Sequence, residues 1–511
     1  MSLPRVSILF DQGNLLAPIQ AIDGIAGIIC SGTATAGMPL KTPRQIFSLK
    51  DLEALGVTNE YTPAVSGTEG SPGQRSTSEP MVIEVVPATG TNIMVLYDGD
   101  MVLAVYTTTA DDSTPNALAQ SIRQAVNSGT SGFNAIGSFA SIEIQAPLSL
   151  GSSPNGNNVQ IQYMPVALIA FMSGGQDTTP AIPDTPEVDN RHLYHQVSEF
   201  YAAVGGSQEL WVMTVPNTVT MTQMLDKNPP DHAQHLINVS GGRIKLLGVC
   251  RQPDAEYNPG TQFIDADVAN ALPKAKDLAE LNAQNLKFFR TLIEGRVANA
   301  DSTNIFEPKA ALNDYAGVVL GGSIAGPGAS VGLVLGRACR YGAHIKIGKV
   351  ANGPLPINIA YIGPKPVTEY SNLAFIHGLG YISFCTHPGK AGIYLGIDRM
   401  TNQGDYRLLA YGRLADKAAT IAAAVYLEVL ESELELELNG QLSPQEVGYL
   451  TAIISQQIRA LMGAQISNHQ VLIAADQNIV NTGVLEVELR LQPLGYASFI
   501  QVKVGLTASI G

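Results

Sequence analysis

At 511 residues the chain is long enough for about three domains, each with a core of its own. A hydrophobic content of 45% against 14% charged residues excludes a disordered chain, and 50 Gly with 30 Pro point to a loop-rich mixed α/β protein. The formal net charge of −14, with no cluster of Lys or Arg, excludes a nucleic-acid binder and makes a basic surface the expected complement of any contact face.

In chain order, Val6, Ile8 and Phe10 alternate with polar or flanking residues at the period of a strand. No apolar h-region or small-residue cleavage site accompanies them, so a cytoplasmic product is expected. IDGIAGIICSG (22–32) reads as a buried, glycine-punctuated strand, and Leu49, Leu52 and Leu55 carry a helical spacing. Residues 58–80 are rich in Ser, Thr, Gly, Pro and Glu and read as a linker. Between it and a second linker, SGGQDTTPAIPDTPE, residues 78–176 read as an inserted α+β unit with a hairpin at Asp98-Gly99, expected on the outer surface of any assembly.

Beyond it, helix-like segments (HLYHQVSEFYAAVG and DVANALPKAKDLAELNAQNLKFFRTLIEG) alternate with apolar runs (ELWVMTV, RIKLLGVC, AGVVLGG). That alternation predicts helices on both faces of a central mixed, largely parallel sheet. Tyr315–Gly336 is uncharged and long enough for a bilayer, yet its glycines and Pro327 read better as strand, turn and short helix. Asp405–Glu433 is expected to form one helix, and Ser443-Pro444-Gln445-Glu446 opens a second that runs to Met462. VLEVELRLQPLG and SFIQVKVGL are expected as closing strands, the last with Ile500, Val502, Val504 and Leu506 on one face.

Chemistry is sparse. There is no P-loop and no GxSxG elbow. Gly326-Pro327-Gly328 has the wrong spacing for a dinucleotide fingerprint, and no cofactor, metal or catalytic residue is expected. The pairs His192/His195 and His232/His235 have metal-ligand spacing without a third ligand and read as surface or loop histidines, and His387 as part of a turn. Cys30, Cys250, Cys339 and Cys385 lie far apart and are expected as free thiols. Residues 418–458 hold no Lys or Arg but six Glu, of which Glu428, Glu431 and Glu435 would share a face of the long helix and form an acidic contact surface.

Three stretches resemble contractile tail-sheath proteins in wording and order: GIAGIICSGTATAGMPLKTPRQIFSLKDLEALG, VSEFYAAVGGSQELWVMTVPN, and RLADKAATIAAAVYLEVLESELEL followed by LEVELRLQPLGYASFIQVKVGL. In the insertion, NALAQSIRQAVNSGTSGFNA with SIEIQAPLSLGSSPNGNNVQIQ is similar to a module of Mu-like phage sheaths. The resemblance implies a non-enzymatic virion tail subunit, assembled in the host cytoplasm as stacked hexameric rings around an inner tube protein. Baseplate and tail terminator proteins would be further partners. It implies contraction that ejects the genome or drives the tube through an envelope, as in related contractile injection systems. It divides the chain into an N-terminal strand arm (1–20) joining the C-terminal domain, a central α/β domain (21–65 and 180–360), the insertion, and an α+β C-terminal domain (361–511) ending in a second arm. The arms would pair with neighbouring subunits, and Glu428, Glu431 and Glu435 would face the tube. A baseplate or head protein, or an α/β enzyme, are the alternatives.

Overall fold

A computed structural model describes residues 24–64, 73–178, 187–252, 262–297, 299–301, 304–477, 479–498 and 500–502. They fall into two compact units, one formed by Pro63–Pro186 and the other by the residues up to Thr62 and from Glu187 onward. The passages into and out of the first of these pair antiparallel, Tyr61–Thr62 with Val188–Asp189.

The larger unit is built on an eight-stranded sheet: β1 (Ala26–Gly32), β2 (Arg44–Ile46), β3 (Leu210–Pro216), β4 (Leu246–Cys250), β5 (Arg290–Gly295), β6 (Ala316–Leu320), β7 (Tyr381–Cys385) and β8 (Tyr394–Leu395). Its order is β2-β3-β1-β4-β5-β6-β7-β8, parallel from β3 to β7 and antiparallel at both margins. Every residue of β1, β4, β5 and β6 is buried. Strands covered on both faces read as continuous apolar runs, and this explains why β1, β4 and β6 carry no alternation.

Helices Arg191–Val204, Ala266–Gln284 and Val331–Cys339 lie between these strands. The first and last cross at glycines: a Cβ on Gly332 would overlap the Gln196 carbonyl, and one on Gly336 the Phe200 carbonyl. Close backbone approach is therefore what the glycines of the Tyr315–Gly336 run supply, in the expected sequence of strand, turn and short helix. No helix among the described residues is long and apolar enough to cross a membrane.

One expected helix is two elements. The run from Asp267 to Gly295 leaves the helix at Gln284, turns through Leu286 at φ 59°, and re-enters as β5 in the middle of the sheet. Its β-branched Thr291 and Ile293 suit a strand, and a helical period carried through them overlooked the turn.

The C-terminal part adds helices Leu409–Leu427 and Pro444–Met462 and an antiparallel pair, Ile466–Leu472 with Glu488–Pro493. Leu414, Ala418, Ile421, Ile454, Ile458 and Met462 form their shared core. The second helix starts where expected: the Ser443 hydroxyl accepts from the Glu446 amide, with Pro444 in the first turn. The Ile466–Leu472 strand was not foreseen, because ISNHQVL is too polar to show a period.

The unit Pro63–Pro186 is an antiparallel sheet whose longer strands are Asn92–Tyr97, Met101–Thr107, Asn158–Tyr163 and Val166–Ser173. Asp98 and Gly99 turn the first hairpin with φ of 54° and 79°. Helix Pro115–Asn127, capped by Thr114, buries Leu118, Ile122 and Val126 at helical spacing.

Candidate functional site

In an open parallel sheet, ligands bind outside the carboxyl ends of the strands where the strand order reverses. Here that point lies between β1 and β4, since the chain goes from β1 to β3 on one side and returns to β4 on the other. The crevice is filled by protein. The Gln252 amide donates to Ser31 Oγ at 2.6 Å, the Thr33 amide donates to Asn190 Oδ1 at 2.9 Å, and Asn190 Nδ2 donates back to the Thr33 carbonyl at 3.0 Å. A Cβ on Gly32 would overlap Asn190 Oδ1, so the glycine serves this plug and leaves no cradle for a phosphate. Cys30 and Cys250 sit in register on β1 and β4. Burial, reinforced by the charge of Glu294, holds both thiols well above their ordinary range, which makes them poor nucleophiles. All four cysteines are free.

The next position along the rim carries a cluster of buried charge. Glu294, at the end of β5, is fully buried and accepts from the Arg251 amide and the Ala329 amide, each at 2.8 Å, with His192 Nε2 at 3.1 Å. Burial pushes this carboxyl up, but His192 and the two amides outweigh it and hold the group below the usual carboxylate range. Gln196 donates to the Ala329 carbonyl at 2.8 Å and accepts from the Gly332 amide at 2.7 Å. One turn further along the helix, Glu199 Oε1 accepts from Ser323 Oγ at 2.5 Å and Ser330 Oγ at 2.9 Å. Beneath them Arg296 pairs with Asp265 at 3.1 Å, both buried.

His195, Glu199 and Ser323 contain the residue types of a hydrolytic triad in the wrong geometry. His195 Nε2 is 3.2 Å from Ser323 Oγ and 3.3 Å from Glu199 Oε1, so nucleophile and carboxylate crowd one nitrogen where a relay needs opposite nitrogens. The arrangement pins the loop Gly322–Ser330 to the Arg191–Val204 helix around a cavity of about 240 Å³. Burial lowers the His195 pKa, but the hydrogen bond and charge of Glu199, with Glu294, outweigh it and leave the group above the ordinary histidine value. A raised folded pKa contributes stability in full below the unfolded value of about 6.5, lost as pH rises through the folded value. Stability of the wild type, followed by urea midpoints, is therefore expected to fall more steeply than that of His195→Gln as pH rises above about 6.5; equal slopes would contradict this.

The histidine pairs thus depart from the expected surface placement: His192 and His232 are both buried, His192 with its ring against the Glu294 carboxylate and His232 with its ring 3.2 Å from Asp231. His235 is half-buried, and His387 stands beside a turn, its carbonyl accepting from the Lys390 amide. No group of three or more metal-ligating side chains occurs among the described residues.

A second buried ion pair joins the central sheet to the C-terminal helices. Arg290, at the start of β5, donates from Nε to Asp416 Oδ2 at 2.7 Å and from its terminal nitrogen to Oδ1 at 2.5 Å. Its guanidinium also donates to the Asp314 carbonyl at 2.8 Å and lies over the rings of Tyr315 and Tyr406. Sequence reasoning missed Arg290, Asp416, Glu294 and Asn190. For Arg290 and Glu294 the available signal was charge inside an otherwise apolar strand, FFRTLIEG, since a buried charge needs a built partner.

Two expectations for the C-terminal part change. The long helix ends at Leu427, Glu428 is its C-cap, and Glu431 has φ 61°, so Glu428, Glu431 and Glu435 share no helix face. Acidic side chains at a helix C-terminus oppose the macrodipole, and no basic residue occupies the last turn. Ile500 and Val502 are not in a strand and are 79% and 74% exposed. Val6, Ile8, Phe10, Val504 and Leu506 lie outside the described residues.

These features define a doubly wound α/β domain whose ligand crevice is plugged, bolted to an α+β domain with a two-stranded sheet. Residues 171–399 match the family model for the DUF2586 N-terminal domain, and residues 405–511 match that for the DUF2586 C-terminal domain. No curated protein matches the chain. Among solved structures the chain is similar to one from the baseplate of the anti-feeding prophage, at 13% identity and TM-score 0.42, covering 61% of this chain and 80% of that one. It is similar to a chain of the contracted PVC sheath complex of an extracellular contractile injection system, at 14% and 0.41, covering 62% and 80%. A contracted anti-feeding prophage sheath chain gives 15% and 0.40, covering 61% and 81%.

Proposed function

We propose that this chain is a non-enzymatic structural subunit of a contractile tail sheath, polymerising around an inner tube and shortening to drive the tube through a cell envelope. The observation that carries the reading is a two-stranded sheet with exposed apolar side chains close after it in sequence. Ile466–Leu472 and Glu488–Pro493 pair only with each other among the described residues, none of which pairs with either outer edge. Just beyond them Ile500 and Val502 stand exposed. Open edges are normally blunted, and an extended apolar segment that adds to a neighbour's edge is the economical way to close them.

The sequence resemblance to tail sheaths supports the same reading, with the alternating Val6, Ile8 and Phe10 as a second arm. Arms of this kind keep subunits linked while they rotate past one another. Assembly would take place in the host cytoplasm, with the virion or particle tail as the final location. The inner tube, baseplate and terminator proteins would be the partners besides the chain itself.

Electron microscopy of the purified chain, with and without co-expressed tube protein, is expected to show striated tubes. Deletion of residues 1–12 or 500–511 is expected to leave a folded, soluble subunit that sediments as a monomer. Truncated chains that still build long tubes would remove the arms from the mechanism, and closed rings or shells from the intact chain would favour a baseplate or head role.

A further inference from the structure

The larger unit contains a cavity of about 600 Å³ between the segment His344–Val350, the strand end Leu395–Ile397 and the stretch Leu494–Ser498. Its walls carry His344, Lys346, Lys349 and His387, and none of its lining residues is acidic. In a chain with 44 acidic and 30 basic residues that is a local inversion of sign. Lys346 is partly neutralised from behind by the buried Asp398, 3.5 Å away, and donates to Ser498 Oγ at 3.2 Å. Lys349 is exposed and makes no ion pair among the described residues. Between the cations the lining is apolar, through Val350, Leu395 and Leu494. A ligand that fits would combine carboxylates with aliphatic groups.

The chain carries such a segment elsewhere. After the Leu409–Leu427 helix, Glu433, Glu435 and Glu437 alternate with Leu434, Leu436 and Leu438. The segment is one side of a wide hairpin: the Ser443 amide donates to the Glu435 carbonyl, the Glu437 amide donates to the Gln441 carbonyl at 2.7 Å, and Gly440 turns the tip at φ 82°. Extended backbone with period-two alternation separates a row of carboxylates from a row of leucines. Leu438 at the tip is fully exposed and Leu430 is 68% exposed. No Lys or Arg lies between residues 418 and 458 to answer the glutamates. None of these tip residues lines the cavity of its own chain.

We propose that the Glu433–Leu438 tip of one copy docks into the basic-walled cavity of a second copy, leucine side chains entering the apolar lining and carboxylates meeting Lys349 and the flanking histidines. This rests on the reading that copies of the chain assemble with one another, and it gives the acidic run a use that needs no helix face. It also couples assembly to salt, because the pairs are solvent-exposed and screened over about 8 Å at physiological ionic strength.

The test uses a fluorescein-labelled peptide of residues 427–440, titrated into the intact chain and followed by anisotropy. Saturable binding that weakens with added salt is expected. Lys349→Glu in the chain, or Glu435→Gln with Glu437→Gln in the peptide, should each weaken it roughly fivefold. A peptide with Glu435→Lys should bind the Lys349→Glu chain better than it binds the wild type. Lys349 is exposed, so the variant keeps its fold, checked by circular dichroism. No binding, or binding that Lys349→Glu leaves unchanged, overturns the proposal. Tube formation is read separately by microscopy: a chain that builds tubes but ignores the peptide refutes this contact alone, and one that binds the peptide but forms no tubes refutes the sheath reading alone.

Discussion

Asp416→Ala is expected to lower the stability of the larger unit by about 3 to 5 kcal/mol, the range found when one partner of a buried ion pair is removed. The Arg290 guanidinium is 4% exposed and has its Nε and one terminal nitrogen committed to the two oxygens of Asp416. Deleting the carboxylate leaves a charge that cannot shed its proton, against the Asp314 and Gly412 carbonyls and the faces of Tyr315 and Tyr406, none of which is a counter-charge. Removing both partners is different in kind. Arg290→Met with Asp416→Leu is expected to recover most of the loss, because the desolvation cost disappears along with the attraction. The measurement is denaturant unfolding followed by tryptophan fluorescence, since the single tryptophan, Trp211, lies in β3 and reports on the larger unit alone. A single variant within about 1 kcal/mol of wild type would show that water reaches the pair and that the joint is not dry.

That joint also shows what the sequence could and could not convey. Local signals were legible wherever they were chemically self-contained. Ser443-Pro444 placed the start of a helix, Asp98-Gly99 placed a hairpin, and the apolar runs at β1, β3, β4 and β6 announced a sheet buried on both faces. The Asp267–Gly295 run was misread because apolar residues at three- and four-residue spacing persist through the turn at Leu286, and periodicity has no term for a left-handed residue. The Glu428–Glu437 run was misread for a related reason: glutamate has good intrinsic helix propensity, while its cost at a helix C-terminus depends on where the helix ends.

The polar rim was not legible at all. Glu294, Asn190, Gln196 and Arg251 lie up to about a hundred positions apart, and only the strand order brings them to one edge. His192 and His195 share a helix at i and i+3, yet their ring nitrogens contact different carboxylates, Glu294 and Glu199. A spacing rule for metal ligands presumes that both imidazoles converge on one point, and nothing in the spacing says whether they do.

The second large effect concerns Gly332, where two general tendencies oppose each other and magnitude decides. An alanine at a helical glycine is ordinarily stabilising by about 1 kcal/mol, through helix propensity. At Gly332 the new methyl would fall inside the Gln196 carbonyl, and at Gly336 inside that of Phe200. A carbonyl in the middle of a helix cannot swing aside as a side-chain end can, so the Val331–Cys339 and Arg191–Val204 helices must separate. Separation would strain the Gln196 bonds to Ala329 and Gly332 and disturb the buried Glu294 cluster that shares the helix. Overpacking a tight core costs typically 1 to 3 kcal/mol and more where backbone must move, so Gly332→Ala is expected to be destabilising by about 3 kcal/mol. Gly448 supplies the matched control. It sits within the Pro444–Met462 helix with open space where a Cβ would go, so Gly448→Ala is expected to stabilise by about 0.5 to 1 kcal/mol. Opposite signs for the two alanines, in the same denaturant titration, are the expected result; a neutral or stabilising Gly332→Ala would mean that the helices cross further apart than this packing requires.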